Sequence, residues 1–146
     1  MSNCNVQAGS TQATASAAVL QARACAPAIL LVEDDKILRR YLEVLLRRAG
    51  YTVVAAADGL EAIRVAFSSD VAAVVTDAVM PRLGGHELCR IIRSDKDRAH
   101  LPLVMLTGVA HDGSHDDFAH ADARLTKPVR ADELLFCLKR LINRTD

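Results

Sequence analysis

Short, nearly continuous apolar runs alternate along this chain with stretches whose apolar residues recur every three or four positions. AILLV (28–32), YTVVAAA (51–57), the run from about Val71 to Thr76 and LPLVML (101–106) are too short for helices and predict strands buried on both faces. ADARL (121–125) is a weaker fifth. Between them, Ile37, Leu38, Tyr41, Leu42, Leu45, Leu46 and Ala49 fall at helical spacing, and Gly50 stops that helix. A short helix over Gly59–Ser68 sets Leu60, Ile63 and Phe67 on one side, one over Gly85–Arg93 buries Leu88, Ile91 and Ile92, and one over Arg130–Asn143 turns Leu134, Leu135, Leu138, Leu141 and Ile142 inward. Strand and helix alternating in this way predict a doubly wound α/β fold, its parallel sheet covered by helices on both faces. Val109–Ala121 breaks the rhythm with Gly113, Ser114, Asp116 and Asp117, so the fourth of five helices is expected to be short, shifted or mobile.

Composition bounds this picture. At 146 residues and 51% apolar content the chain suffices for one domain. Residues 1–27, rich in Ala, Ser, Gln and Thr, offer too few large apolar groups for a core and read as a disordered extension before a folded domain over 28–146. Ala13–Ala24 is Ala-rich, but a lone helix of that length is marginal in water. Basic and acidic residues balance at 18 each, so bulk charge points to neither nucleic acid nor an anionic membrane. Cys4, Cys25, Cys89 and Cys137 have no metal-site spacing, no apolar stretch is long enough to cross a bilayer, and the first residues lack the basic and apolar regions of a signal peptide. Reduced thiols and a cytoplasmic location are the expectation.

The chemistry gathers at strand ends. VEDD (32–35), TDAVMP (76–81), LTG (106–108) and TKP (126–128) each follow one of the apolar runs. In an open parallel sheet, ligands bind beyond the carboxyl ends of the strands, so these four pieces converge on one point. A carboxylate there is a nucleophile toward phosphorus, giving an acyl phosphate. Its approach to an anionic donor is repulsive unless a dication offsets the charge. Glu33, Asp34 and Asp77 are hard oxygen donors of the kind that suits Mg2+.

In these four motifs, the stretch from about Ala28 to Asn143 resembles the receiver domain of two-component response regulators, the CheY-like, flavodoxin-like fold. The resemblance implies a five-stranded sheet of order 2-1-3-4-5. It makes Asp77 the phosphoacceptor, with the phosphoryl group coming from a histidine kinase or histidine phosphotransfer protein. It makes Asp34 and Asp77 direct ligands of Mg2+, with the main-chain carbonyl of Val79 a further ligand and Glu33 acting directly or through water. Lys127 is then the phosphoryl-pairing lysine, Thr107 the hydroxyl residue that shifts when the group arrives, Pro128 the site of a cis peptide bond, and Gly84 and Gly85 the tight turn, with Gly85 at the usual glycine. Asp35, one position beyond the aligned pair, is expected to cap the following helix.

Three departures matter. Arg124 replaces an aromatic residue that in the family swings inward, and a guanidinium does not enter an apolar slot without a partner. Arg124 is therefore expected either to stay solvated or to pair with Asp112, Asp116 or Asp117. Gly108 stands where alanine is common and, with the weak fourth helix, suggests that phosphorylation orders or reshapes the Gly108–Ala121 segment. His111, His115 and His120 within it are expected to be solvated. Val79 and Val109, two residues past the acceptor and the hydroxyl residue, offer nothing to activate an attacking water, so self-dephosphorylation is expected to be slow.

After the last expected helix only Arg144, Thr145 and Asp146 remain, so the expectation is a stand-alone receiver: no enzyme beyond its self-catalysed acceptance and slow loss of the group, with output by binding an unidentified protein. A receiver module of a hybrid sensor kinase, or a phosphorelay intermediate, is the alternative, and a phosphorylation-independent adaptor is disfavoured by the intact acceptor site. A haloacid-dehalogenase-like phosphatase also uses a strand-end aspartate and Mg2+, but TDAVM lacks the second aspartate of its DxDx[TV] motif.

Overall fold

The computed structural model describes residues 26–108 and 120–145. Its elements are β1 (Ala28–Val32), α1 (Lys36–Arg48), β2 (Thr52–Ala56), α2 (Gly59–Ser68), β3 (Ala73–Asp77), α3 (Gly85–Ser94), β4 (Leu103–Thr107), β5 (Ala123–Thr126) and α4 (Ala131–Thr145). The strands form one parallel sheet in the order β2-β1-β3-β4-β5, as the resemblance implies. The fourth helix expected over Val109–Ala121 falls almost wholly outside the described residues, so α4 is the fifth of that scheme.

The period-two alternation of buried strands divides the core in two. Ile29, Leu31, Val75, Val104 and Leu106 face α1 and α4, meeting Leu42, Leu46, Leu134 and Leu138. Leu30, Val32, Val74, Leu103 and Met105 face α2 and α3, meeting Ala62, Ala66, Leu88 and Ile92. The pairing also aligns the strand ends. Val32 is level with Thr76, Asp77 with Leu106, and Thr107 with Thr126. Glu33, Asp77, Thr107 and Lys127 therefore emerge within about two rungs of one another at one end of the sheet.

Two helix faces bury other residues than the bulkiest ones at helical spacing. On α2 the buried residues are Gly59, Ala62 and Ala66, while Leu60 and Phe67 are exposed and Ile63 is half-buried. Small side chains bring this helix close to its neighbours, so the face with the least bulk turns inward. Phe67 is partly sheltered by the Arg98 guanidinium 4.7 Å above its ring, which also donates to the Ala66 and Phe67 carbonyls at 2.7 and 2.9 Å. On α1, Leu42 and Leu46 are buried, but Ile37 and Tyr41, at the same helical spacing, face outward.

Helix ends follow from local chemistry. The Asp35 carboxylate accepts from the Ile37 and Leu38 N–H groups at 2.9 and 3.3 Å, capping α1 as expected. Asp58 accepts from Glu61 N–H at 2.9 Å and caps α2. Gly50, at φ 100, ends α1 in the left-handed conformation that glycine tolerates. At the open margin of the sheet, Arg47 Nη2 donates to the Val53 carbonyl of β2 at 3.0 Å.

Candidate functional site

The strand ends bring together the acidic residues singled out from the sequence. One carboxylate oxygen from each of Glu33, Asp34 and Asp77 lies within 4.8 Å of the others. Glu33 and Asp77 are buried and Asp34 is exposed at the rim. Lys127 reaches in from the end of β5, its Nζ 3.1 Å from Asp77 Oδ1 and 3.3 Å from Glu33 Oε2. Asp35 is not part of this group, because its carboxylate is turned to the α1 N–H groups.

Backbone contacts hold each side chain in place. Glu33 Oε1 accepts from Asp35 N–H at 3.2 Å, and the Glu33 carbonyl accepts from Arg39 Nη1 at 2.8 Å. The Asp77 carbonyl accepts from the Thr76 hydroxyl at 3.0 Å. Ala78 N–H donates to the Leu106 carbonyl at 2.8 Å and Lys127 N–H to the Thr107 carbonyl at 2.7 Å, so the loops leaving β3 and β5 are tied to β4. Gly85 N–H donates to the Ala78 carbonyl at 3.0 Å, and a Cβ on Gly85 would come 2.1 Å from the Asp77 carbonyl oxygen. Only glycine permits that approach, which gives the glycine expected there its physical reason. The Lys127–Pro128 peptide bond is cis, as the resemblance implies.

Thr107 is buried at the end of β4, level with the residue before Lys127. Val79 is 79% exposed on the loop after β3. Arg124 lies on β5 opposite Met105 and is exposed. The partners weighed for it, Asp112, Asp116 and Asp117, lie outside the described residues, as do Val109, His111 and His115. His120 is exposed, and its carbonyl accepts from Arg93 Nε at 3.0 Å.

The electrostatics are those of a crowded acidic cleft. Burial lifts the Glu33 carboxyl to about 7, and the charge of Asp77 adds to this, against the Asp35 N–H and Lys127, which oppose it. Burial works to lower the Lys127 pKa, but the hydrogen bond and charge of Asp77, together with those of Glu33, raise it overall. Three hard oxygen donors at this spacing fit Mg2+, with Glu33, Asp34 and Asp77 as the side chains that would hold it.

Sequence reasoning did not foresee Arg39, whose guanidinium holds the Glu33 carbonyl, or the Asp58–Arg82 ion pair at 3.4 Å beside the β3–α3 loop. An arginine on a polar helix face or in a loop carries no sequence signal that separates a tether from a solvated charge.

Comparison with known proteins agrees with this geometry. The family description of the response regulator receiver domain matches residues 29–139. The response regulator MprA of Mycobacterium ulcerans (strain Agy99) is 41% identical over 121 residues, covering 80% of this chain and 50% of MprA. The chain thus spans about half the length of the curated relatives it matches. Among solved structures, the receiver domain of sensor histidine kinase PA1611 from Pseudomonas aeruginosa PAO1, which has a magnesium ion coordinated in its active-site cleft, superposes with a TM-score of 0.75 at 32% identity, over 81% of this chain and 98% of that one. The response regulator protein TrrA from Thermotoga maritima, in complex with Mg2+ and BeF, gives a TM-score of 0.72 at 31% identity, over 79% and 98%.

Proposed function

The chain belongs to the response regulator receiver domain family, and from that premise we propose that it accepts a phosphoryl group on Asp77 and signals by changing its contacts with another protein. Receiver domains are generally phosphorylated by histidine kinases. The observation that carries the assignment is the Lys127 ammonium set between the Asp77 and Glu33 carboxylates at 3.1 and 3.3 Å, with Asp34 beside them.

In the transfer, an Asp77 carboxylate oxygen attacks phosphorus while the bond from phosphorus to the donor's histidine nitrogen breaks, its electron pair leaving with the imidazole. Bound Mg2+ supplies the positive charge that offsets carboxylate and phosphoryl oxygens. Glu33, Asp34 and Asp77, with the Val79 carbonyl, would hold that ion. Lys127 exchanges a carboxylate oxygen for a phosphoryl oxygen, and the Thr107 hydroxyl donates to another. Val79 presents no group that would activate a hydrolytic water, so the acyl phosphate is lost slowly. Beyond this self-catalysed chemistry the protein is no enzyme, and it works in the cytoplasm. Among the described residues no helix is long and apolar enough to cross a membrane.

Intact mass after incubation with Mg2+ and acetyl phosphate, beside an Asp77→Asn variant, tests the acceptor. One added phosphoryl group that is missing in the variant is expected. Failure with acetyl phosphate, histidine kinase donors and fluoroberyllate alike would overturn the reading in favour of a phosphorylation-independent adaptor. The likeness to a receiver that forms part of a sensor histidine kinase supports a second reading, a module of a hybrid kinase. Faster transfer from a separate kinase than from a parent kinase's own core would decide against it.

A further inference from the structure

The loop that follows Asp77 is clasped by the turn between β2 and α2. Asp58 uses one carboxylate oxygen to cap α2, accepting from Glu61 N–H at 2.9 Å, and the other to meet Arg82 Nη1 at 3.4 Å. Next to it, Gly59 lies so close under the loop that a Cβ there would come 2.4 Å from the Leu83 carbonyl oxygen. Arg82 itself has φ 69, a left-handed conformation that non-glycine residues avoid. A backbone strained at an arginine and packed against the β2–α2 turn is held from outside rather than by its own preference. What it holds is the main chain between Asp77 and Gly85, the segment with the Val79 carbonyl.

We infer that Asp58 and Arg82 are positioning residues for the acidic site: their ion pair, over the close Gly59–Leu83 contact, sets the β3–α3 loop so that the main chain beyond Asp77 faces the cation bound there. The inference rests on the reading of Glu33, Asp34 and Asp77 as a Mg2+ site. The pair is largely solvent-exposed on the arginine side, with 69% of the Arg82 side chain accessible, so it contributes little to stability. Its effect lies in geometry, and at Arg82 geometry makes a prediction opposite to that of charge. Removing a nearby positive charge alone strengthens cation binding, whereas releasing the clasp weakens it.

Calorimetric titration of the full chain with Mg2+ alone, in the absence of any phosphodonor, separates the two. Arg82→Gln and Asp58→Asn, the latter keeping an N-capping side chain, are each expected to weaken Mg2+ binding by about ten-fold, the lower end of the loss that follows when a group orienting a metal site is removed. The double variant should lose no more than either single one, and Arg82→Lys should recover most of the affinity, with thermal midpoints unchanged throughout. Arg82→Gln binding Mg2+ as tightly as the wild type, or more tightly, overturns the clasp. So does a double variant in which the two losses add. A wild-type protein that binds no Mg2+ overturns the metal site itself and the clasp with it.

Discussion

At the scale of single residues, the site is governed by how few positive charges meet how many carboxylates. Lys127 lies against both Glu33 and Asp77. Replacing it with Met leaves two buried carboxylates facing one another and is expected to lower metal-free stability by about 1–3 kcal/mol. Saturating Mg2+ should recover much of that loss, and denaturant unfolding with and without the ion would measure both. Glu33 supplies the pH dependence. Its carboxyl is lifted from 4.5 to about 7, so between these values the native protein holds a proton that the unfolded chain has released. Without metal, the Glu33 contribution to stability should therefore be fully present below the lower value and be lost as pH rises through about 7, by about 1–3 kcal/mol. Mg2+ requires the ionised form, so its affinity should climb over the same interval. Thermal midpoints and Mg2+ titrations from pH 5 to about 8 check both signs.

Among elements, close backbone approaches separate glycines that resemble each other in the sequence. A Cβ at Gly85 would meet the Asp77 carbonyl at 2.1 Å, whereas one at Gly108 meets nothing within 4 Å. Gly85→Ala should cost about 2–3 kcal/mol by overpacking and disturb the acceptor strand's end, while Gly108→Ala should stay within about 0.5 kcal/mol. Equal midpoints for the two variants would contradict this. The same contrast explains what was legible beforehand. Strands buried on both faces announce themselves as apolar runs, and the polar residues that follow them had to emerge at one end of a parallel sheet, so Glu33, Asp34, Asp77, Thr107 and Lys127 could be read together. The inward face of α2 could not, because Ala62 and Ala66 are buried by virtue of being small while the bulkier Leu60 and Phe67 stay outside. Tethers such as Arg39 to the Glu33 carbonyl depend on where a loop comes to rest, which no local pattern encodes.

For the whole molecule, the expected behaviour is a long-lived mark on a compact platform. Val79 stands 79% exposed beside the acceptor with no polar atom in its side chain. The phosphorylated protein should therefore hold its group for far longer than seconds, and Val79→Asn should shorten that lifetime. Following the decay of the added mass after the donor is removed tests this, and loss within seconds in the wild type would refute it. Arg47, finally, reaches across to the outward-pointing carbonyl of Val53 on the outermost strand. A bare margin of this kind invites another chain to zip onto it. By occupying an acceptor there with a bulky cation, Arg47 leaves that margin one carbonyl fewer for another chain to pair with.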